Sequence, residues 1–106
     1  MSEEPNLEYV DKLAGEDKAF RQKFITILKN EFPRERQEYE ANLEDRNYPE
    51  AAENVHKLKH KFNVLGLYQS HALAVRYEAE LRECNHSLHT EFLTILDRVE
   101  TYLKTI

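Results

Sequence analysis

Residues 51–66 read AAENVHKLKHKFNVLG, and within them Ala51, Val55, Leu58, Phe62 and Leu65 recur at steps of four, three, four and three. That spacing is the seam of a helix buried along one side. At about 100° per residue, His56, His60 and Asn63 project roughly 140° or more from the middle of the seam, and Lys59 lies on its flank. The expectation is a core-facing helix that shows His56 to water or to a partner. Between residues 54 and 77 there is no acidic side chain, although the chain holds 20 Asp and Glu. Lys57, Lys59, Lys61 and Arg76 give this stretch +4 in a chain of net charge -5. An exposed imidazole in a locally positive field suits phosphate chemistry or an acidic partner.

Working outward, Asn47-Tyr48-Pro49-Glu50 has the form of a capping box with proline in the first turn, and it starts the His56 helix. Gly66 closes that helix or lets a neighbour approach. Upstream, Asn6 is placed to cap a short helix carrying Leu7, Val10 and Ala14 on one face, with Gly15 at its end and residues 1–5 as a mobile lead-in. A long helix is expected from Glu16, with Phe20, Phe24, Ile27, Leu28 and Phe32 inward. Pro33 should kink or break it before Tyr39 and Leu43 resume the inward face. Downstream, Ala74, Tyr77, Leu81 and Cys84 form a fourth seam with Ser70 as a possible cap, and Asn85 marks the next turn. Leu88, Phe92, Ile95, Val99, Tyr102 and Ile106 form the last. Four long helical segments joined by short connections predict an all-α fold, an antiparallel up-down-up-down four-helix bundle with a short extra N-terminal helix.

Composition fits this architecture. A chain of 106 residues with 41% hydrophobic content is one domain spanning residues 1–106, with enough apolar side chains for a modest core. Two glycines and three prolines exclude a turn-rich β architecture. The single cysteine, Cys84, has no internal disulfide partner, and no apolar run has the length of a signal peptide or membrane span. A reducing cytoplasm is the expected setting. The acidic balance argues against general nucleic-acid binding.

His56-Lys57-Leu58-Lys59, followed by Leu65-Gly66-Leu67, resembles the H-x-L-K-G…L-G-A signature of histidine-containing phosphotransfer (HPt) domains. Residues 9–28, YVDKLAGEDKAFRQKFITIL, resemble that family's short first helix and the long helix that follows. The resemblance implies a phosphocarrier without autonomous catalytic activity. A receiver-domain aspartate would donate a phosphoryl group to His56, Lys59 would support that group, and a second receiver would accept it. Receiver domains, and a hybrid histidine kinase, are the partners so implied; Mg²⁺ belongs to the receiver, and this chain needs no cofactor of its own. Lys57, His60, Asn63 and Gly66 are the candidate partner-binding positions on a chain expected to be a monomer. His60 departs from the pattern, because the family usually carries a small residue there.

Two other classes compete. A helical adaptor would keep the bundle and dock a receiver without carrying phosphate. A metal-binding bundle would use the i, i+4 pair His56 and His60, or Cys84 with His86 and His89. Three neighbouring lysines oppose a dication at the first pair, and the second spacing is unspecific. There is no Gly-rich phosphate loop, no Ser-His-Asp pattern and no carboxylate pair arranged for acid–base work.

Overall fold

Ala51, Val55, Leu58, Phe62 and Leu65 are each fully buried, so the seam read from the sequence is the spine of the core. Removing each Val, Leu or Phe side chain among them from water contributes roughly 1.5–3 kcal/mol. These residues belong to a computed structural model that describes residues 3–106. It contains five helices, α1 (Glu8–Ala14), α2 (Lys18–Glu44), α3 (Tyr48–Val64), α4 (Tyr68–Arg82) and α5 (His89–Leu103), and no strand among the described residues. Helix α3 lies between α2 and α4; α5 touches both of those, and α1 rests on α2.

Pairwise contacts give the helix directions. Asn42 of α2 bonds Asn54 of α3 at 2.6 Å, while Glu35, earlier in α2, meets Lys61, later in α3, at 3.0 Å. Arg82 and Glu78 of α4 likewise meet Glu53 and Lys59 of α3 in reverse order, at 2.8 and 3.0 Å. Tyr39 and Arg36 of α2 reach His89 and Asp97 of α5 at 2.7 Å each, again in reverse. Each of these pairs is antiparallel.

The turn after α3 closes as the sequence indicates. Gly66 takes a φ of 77°, its N–H donates to the Asn63 carbonyl at 3.2 Å, and Leu67 N–H reaches back to the Phe62 carbonyl at 2.8 Å. This double bond pattern satisfies two carbonyls of the last turn and tucks Leu67 into the core. The ends of α2 and α4 repeat it with Arg46 (φ 57°) and Cys84 (φ 62°) at the glycine position. Cys84 is therefore an exposed residue just past α4, not a fourth member of its seam. A side chain in this left-handed region costs about 1 kcal/mol.

Several local expectations need correction. The helix α2 runs unbroken through Pro33 for 27 residues. Pro33 is exposed, so the backbone bond it removes lies on the solvent side, while fully buried Phe32 and Tyr39 anchor the helix on either side. Ile25 is buried and Ile27 is 44% exposed; the inward stripe is Ile25, Leu28, Phe32 and Tyr39, and Phe20 is exposed as well. In α5 burial shifts to Leu96 and Leu103 while Tyr102 and Ile106 are half-buried, the drift expected when a 3.5-residue pattern meets a 3.6-residue helix. Helix α2 begins at Lys18, with Asp17 accepting from the Phe20 N–H at 2.9 Å.

Three expected caps form differently. Asn47 precedes α3 but its side chain makes no cap bond, so the capping box is absent. Leu7 occupies the cap position of α1, and Asn6 one residue earlier accepts from the Glu8 N–H at 3.1 Å. At α4 the Ser70 side chain is not the cap. Glu3 is, its carboxylate accepting from the Ser70 and Gln69 N–H groups at 2.6 and 3.0 Å, while its carbonyl accepts from Arg98. A carboxylate among the unpaired amides at a helix start is favourable. Of the five residues expected to form a mobile lead-in, residues 1 and 2 lie outside the described residues, and Glu3 is docked.

A buried polar chain crosses the core. The Tyr39 hydroxyl lies 2.6 Å from the Tyr77 hydroxyl and 2.7 Å from His89 Nδ1, linking α2, α4 and α5. Burial pushes the Tyr77 phenol up to about 12, raises that of Tyr39 further, and lowers His89. With a single O–H, Tyr39 donates to no more than one of these two partners and accepts from the other.

Candidate functional site

The helix α3 is pinned by its buried seam, and this fixes which way its polar residues point. His56 is half-exposed, with 45% of its side chain open to solvent. His60, one turn on, is exposed, and its ring stands nearly perpendicular to that of His56 with centroids 5.0 Å apart. Asn63 and Lys57 are exposed on the same helix. Asn63, His60 and Val64 line a depression of about 430 Å³ with Tyr9 of α1 and Tyr68 of α4. Gly66 lies in the turn that follows, its N–H on the Asn63 carbonyl. Its backbone is covered by Asn6, whose amide nitrogen would lie 2.6 Å from an added Cβ.

Folding sets a carboxylate into the locally positive stretch. Helix α4 brings Glu78 against α3, with its two carboxylate oxygens 3.2 and 3.3 Å from His56 Nδ1. The same carboxylate accepts from Lys59 Nζ at 3.0 Å and from Arg82 at 3.3 Å, and Arg82 also pairs with Glu53. Lys59 is thus a mostly covered side chain, 14% exposed, held on a carboxylate. Burial opposes the charge on Glu78, but the hydrogen bonds from Lys59, His56 and Arg82 outweigh it and hold the carboxyl below its ordinary range.

An ionised carboxylate only accepts hydrogen bonds. The proton of a neutral His56 therefore sits on Nδ1, pointing at Glu78, and the lone pair is left on Nε2. The result is a nucleophilic nitrogen on a rigid helix, with its ring orientation fixed by a neighbouring helix. At His60, burial together with the nearby His56, Lys59 and His71 lowers the imidazole below its ordinary value, against the pull of Glu78. His60 is mainly neutral near neutral pH.

The structure brings His56, Lys59 and His60 together, extends their face to Asn63, and leaves Gly66 to a turn. Glu78 is the site residue that sequence reasoning missed. Its one signal was position, as the first acidic residue after the acid-free run, next to core residue Tyr77 in the helix that folds back on α3.

No group of three or more His, Cys, Asp or Glu side chains converges on a metal-binding geometry among the described residues. Cys84 is exposed, His86 stacks on Tyr48 with centroids 5.9 Å apart, and His89 is engaged with Tyr39. None of the described helices is long and apolar enough to cross a membrane. No curated protein and no solved structure matches the chain. A family profile described as Hpt domain matches residues 23–105, which include all of α3, α4 and α5 and most of α2. With that match over most of its length, the chain belongs to the Hpt domain family, the histidine phosphotransfer domains that serve phosphorelays with receiver domains.

Proposed function

We propose that this chain is a phosphocarrier that accepts a phosphoryl group on Nε2 of His56 from the aspartyl phosphate of one receiver domain and delivers it to the aspartate of another. The observation that carries the reading is the Glu78 carboxylate at 3.2 Å from His56 Nδ1, which leaves Nε2 as the free nucleophile. In the forward step the Nε2 lone pair forms the N–P bond while the P–O bond to the donor aspartate breaks, and that carboxylate leaves with the electron pair. The ring acquires positive charge, which the Nδ1–H···Glu78 bond stabilises. Lys59, 3.0 Å from Glu78, keeps a cation in the same site to offset the new phosphoryl charge.

Mg²⁺ belongs to the receiver, whose acidic site lowers the barrier; this chain contributes no cofactor and no catalysis of its own. A receiver docks around His56 on His60, Asn63 and Lys57, with exposed Tyr9 and Tyr68 bordering the depression beside them. Gly66 contributes shape through the turn that ends α3. The reversed pairings of α2, α3, α4 and α5 support an up-down-up-down four-helix bundle as the scaffold, forming one domain over residues 1–106 with α1 as the extra helix. Transfer runs between cytoplasmic partners, and the carrier acts as a monomer. Incubation with phosphorylated receiver domains tests this directly. Label that moves to the chain, survives base and is lost in acid supports it; a chain that binds those receivers and takes up no label is an adaptor.

A further inference from the structure

The ring of His60 stands edge-on to His56, one helical turn away, at the position where a small residue would leave open space. Resting on the phosphocarrier reading, we infer that His60 is the proton-linked partner of His56, so that protonation of His60 and phosphorylation of His56 favour one another. A phosphoryl group adds nearly two negative charges at neutral pH. With ring centroids 5.0 Å apart, any such group on the His56 rim stays within about 8 Å of the His60 ring, no farther than about one Debye length at physiological salt.

The groups around His60 set the direction. On α3 it faces His56 and Lys59, and on α4 it faces His71 and Glu78. The depression beside it is completed by Asn63, Val64, Tyr9 and Tyr68. In the free protein, burial together with His56, Lys59 and His71 keeps His60 below its ordinary imidazole range, and Glu78, a carboxylate that faces it, is itself engaged by Lys59, His56 and Arg82. Phosphorylation reverses the sign of that field. His60 then binds a proton more readily, and its cation can donate to a phosphoryl oxygen. Linkage makes the effect reciprocal. The raised affinity for protons means that phosphorylated His56 gains stability from His60 fully below the free-state value of His60, and loses it as pH rises through the phosphorylated-state value. Mild acidification therefore shifts phosphoryl exchange with a receiver toward phosphorylated His56, separately from the acid hydrolysis of the P–N bond, a property that the small residue usual at this position does not supply.

The test uses the whole chain with ¹⁵N-labelled histidine and phosphoramidate as the donor. The Nε2 lone pair of His56 forms the N–P bond as the donor P–N bond breaks and ammonia leaves with the electron pair. His60 resonances, identified by their loss in His60→Gln, are followed across a pH titration before and after phosphorylation. The expected result is an upward move of the His60 midpoint on phosphorylation, with its protonated fraction near neutral pH rising about fivefold or more. In His60→Lys, where the cation is permanent, His56 takes the label and its phosphorylated form loses the part of the pH dependence that falls between the two His60 midpoints, while acid hydrolysis of the P–N bond remains. An unchanged His60 titration in a sample labelled on His56 overturns the inference alone. Absence of label on His56, or label on His60 itself, overturns the carrier reading as well.

Discussion

Replacing Glu78 by glutamine probes the arrangement on which the site depends. The substitution keeps side-chain length and shape but turns an acceptor-only carboxylate into an amide able to present either its carbonyl or its NH₂ to His56 Nδ1. Three donors now converge on this carboxylate, His56 at 3.2 Å, Lys59 at 3.0 Å and Arg82 at 3.3 Å. A hydrogen bond to a charged group contributes about 1.5–3 kcal/mol and a neutral one about 0.5–1.5 kcal/mol, so the preference for the Nδ1–H tautomer falls by about 1 kcal/mol. At about 1.4 kcal/mol per factor of ten, phosphoryl transfer from a phosphorylated receiver should slow by about five- to tenfold. Lys59 also loses its counter-charge in a site where both side chains are about 15% exposed, so melting should shift down modestly, by about 1 kcal/mol of stability. The assay pairs transfer kinetics with ¹⁵N chemical shifts of the His56 ring, which report the tautomer. A Glu78→Gln protein that keeps both the parent tautomer and the parent rate would refute the reasoning.

Lys59→Ala should slow transfer by about fivefold and lower stability by about 1 kcal/mol, since Glu78 retains His56 and Arg82; stopped-flow transfer and denaturant melts read the two effects, and equal transfer rates would remove Lys59 from the mechanism. Gly66→Ala should cost about 2 kcal/mol by chemical denaturation, and Gly15→Ala, at φ 59° and ψ -121° where only glycine is at ease, about 2 kcal/mol as well. Both glycines have positive φ, but only at Gly66 must Asn6 move and give up its bond to Glu8 N–H. Acidification should lower the melting temperature through the histidine range. His89 is lowered in the folded protein by burial and by His86, so its contribution is present above the unfolded value and is lost as pH falls through that value toward the folded one. His60 adds in the same sense, and His89→Gln should flatten the part of the slope that His89 supplies.

What the sequence disclosed, and what it hid, follows from the range of each interaction. The α3 seam and the Gly66 turn were legible because both depend on residues within one or two turns of each other. The continuity of α2 through Pro33 was not, since a proline rule that considers only the backbone cannot see Phe32 and Tyr39 anchoring both sides. Cys84 fitted a three-four spacing by coincidence at the point where the helix ends. Caps were the least legible feature: Glu3, far from Ser70 in sequence, replaced the serine as the cap of α4. The candidate site divides along the same line. His56, Lys59 and His60 share one helix and could be placed from helical geometry. Glu78 comes from another helix, and only packing reveals that the acid-free stretch folds against a carboxylate.

Heteronuclear ³¹P–¹⁵N NMR on the chain after incubation with a phosphorylated receiver domain identifies the atom of His56 that carries the phosphoryl group. The expected result is a single phosphoryl group bonded to Nε2 of His56, retained in His60→Gln and lost in His56→Gln, which keeps similar size and polarity but has no nucleophilic nitrogen. A phosphoryl group that persists in His56→Gln, or that is bonded to Nδ1 of His56 where Glu78 should hold a proton, would contradict it.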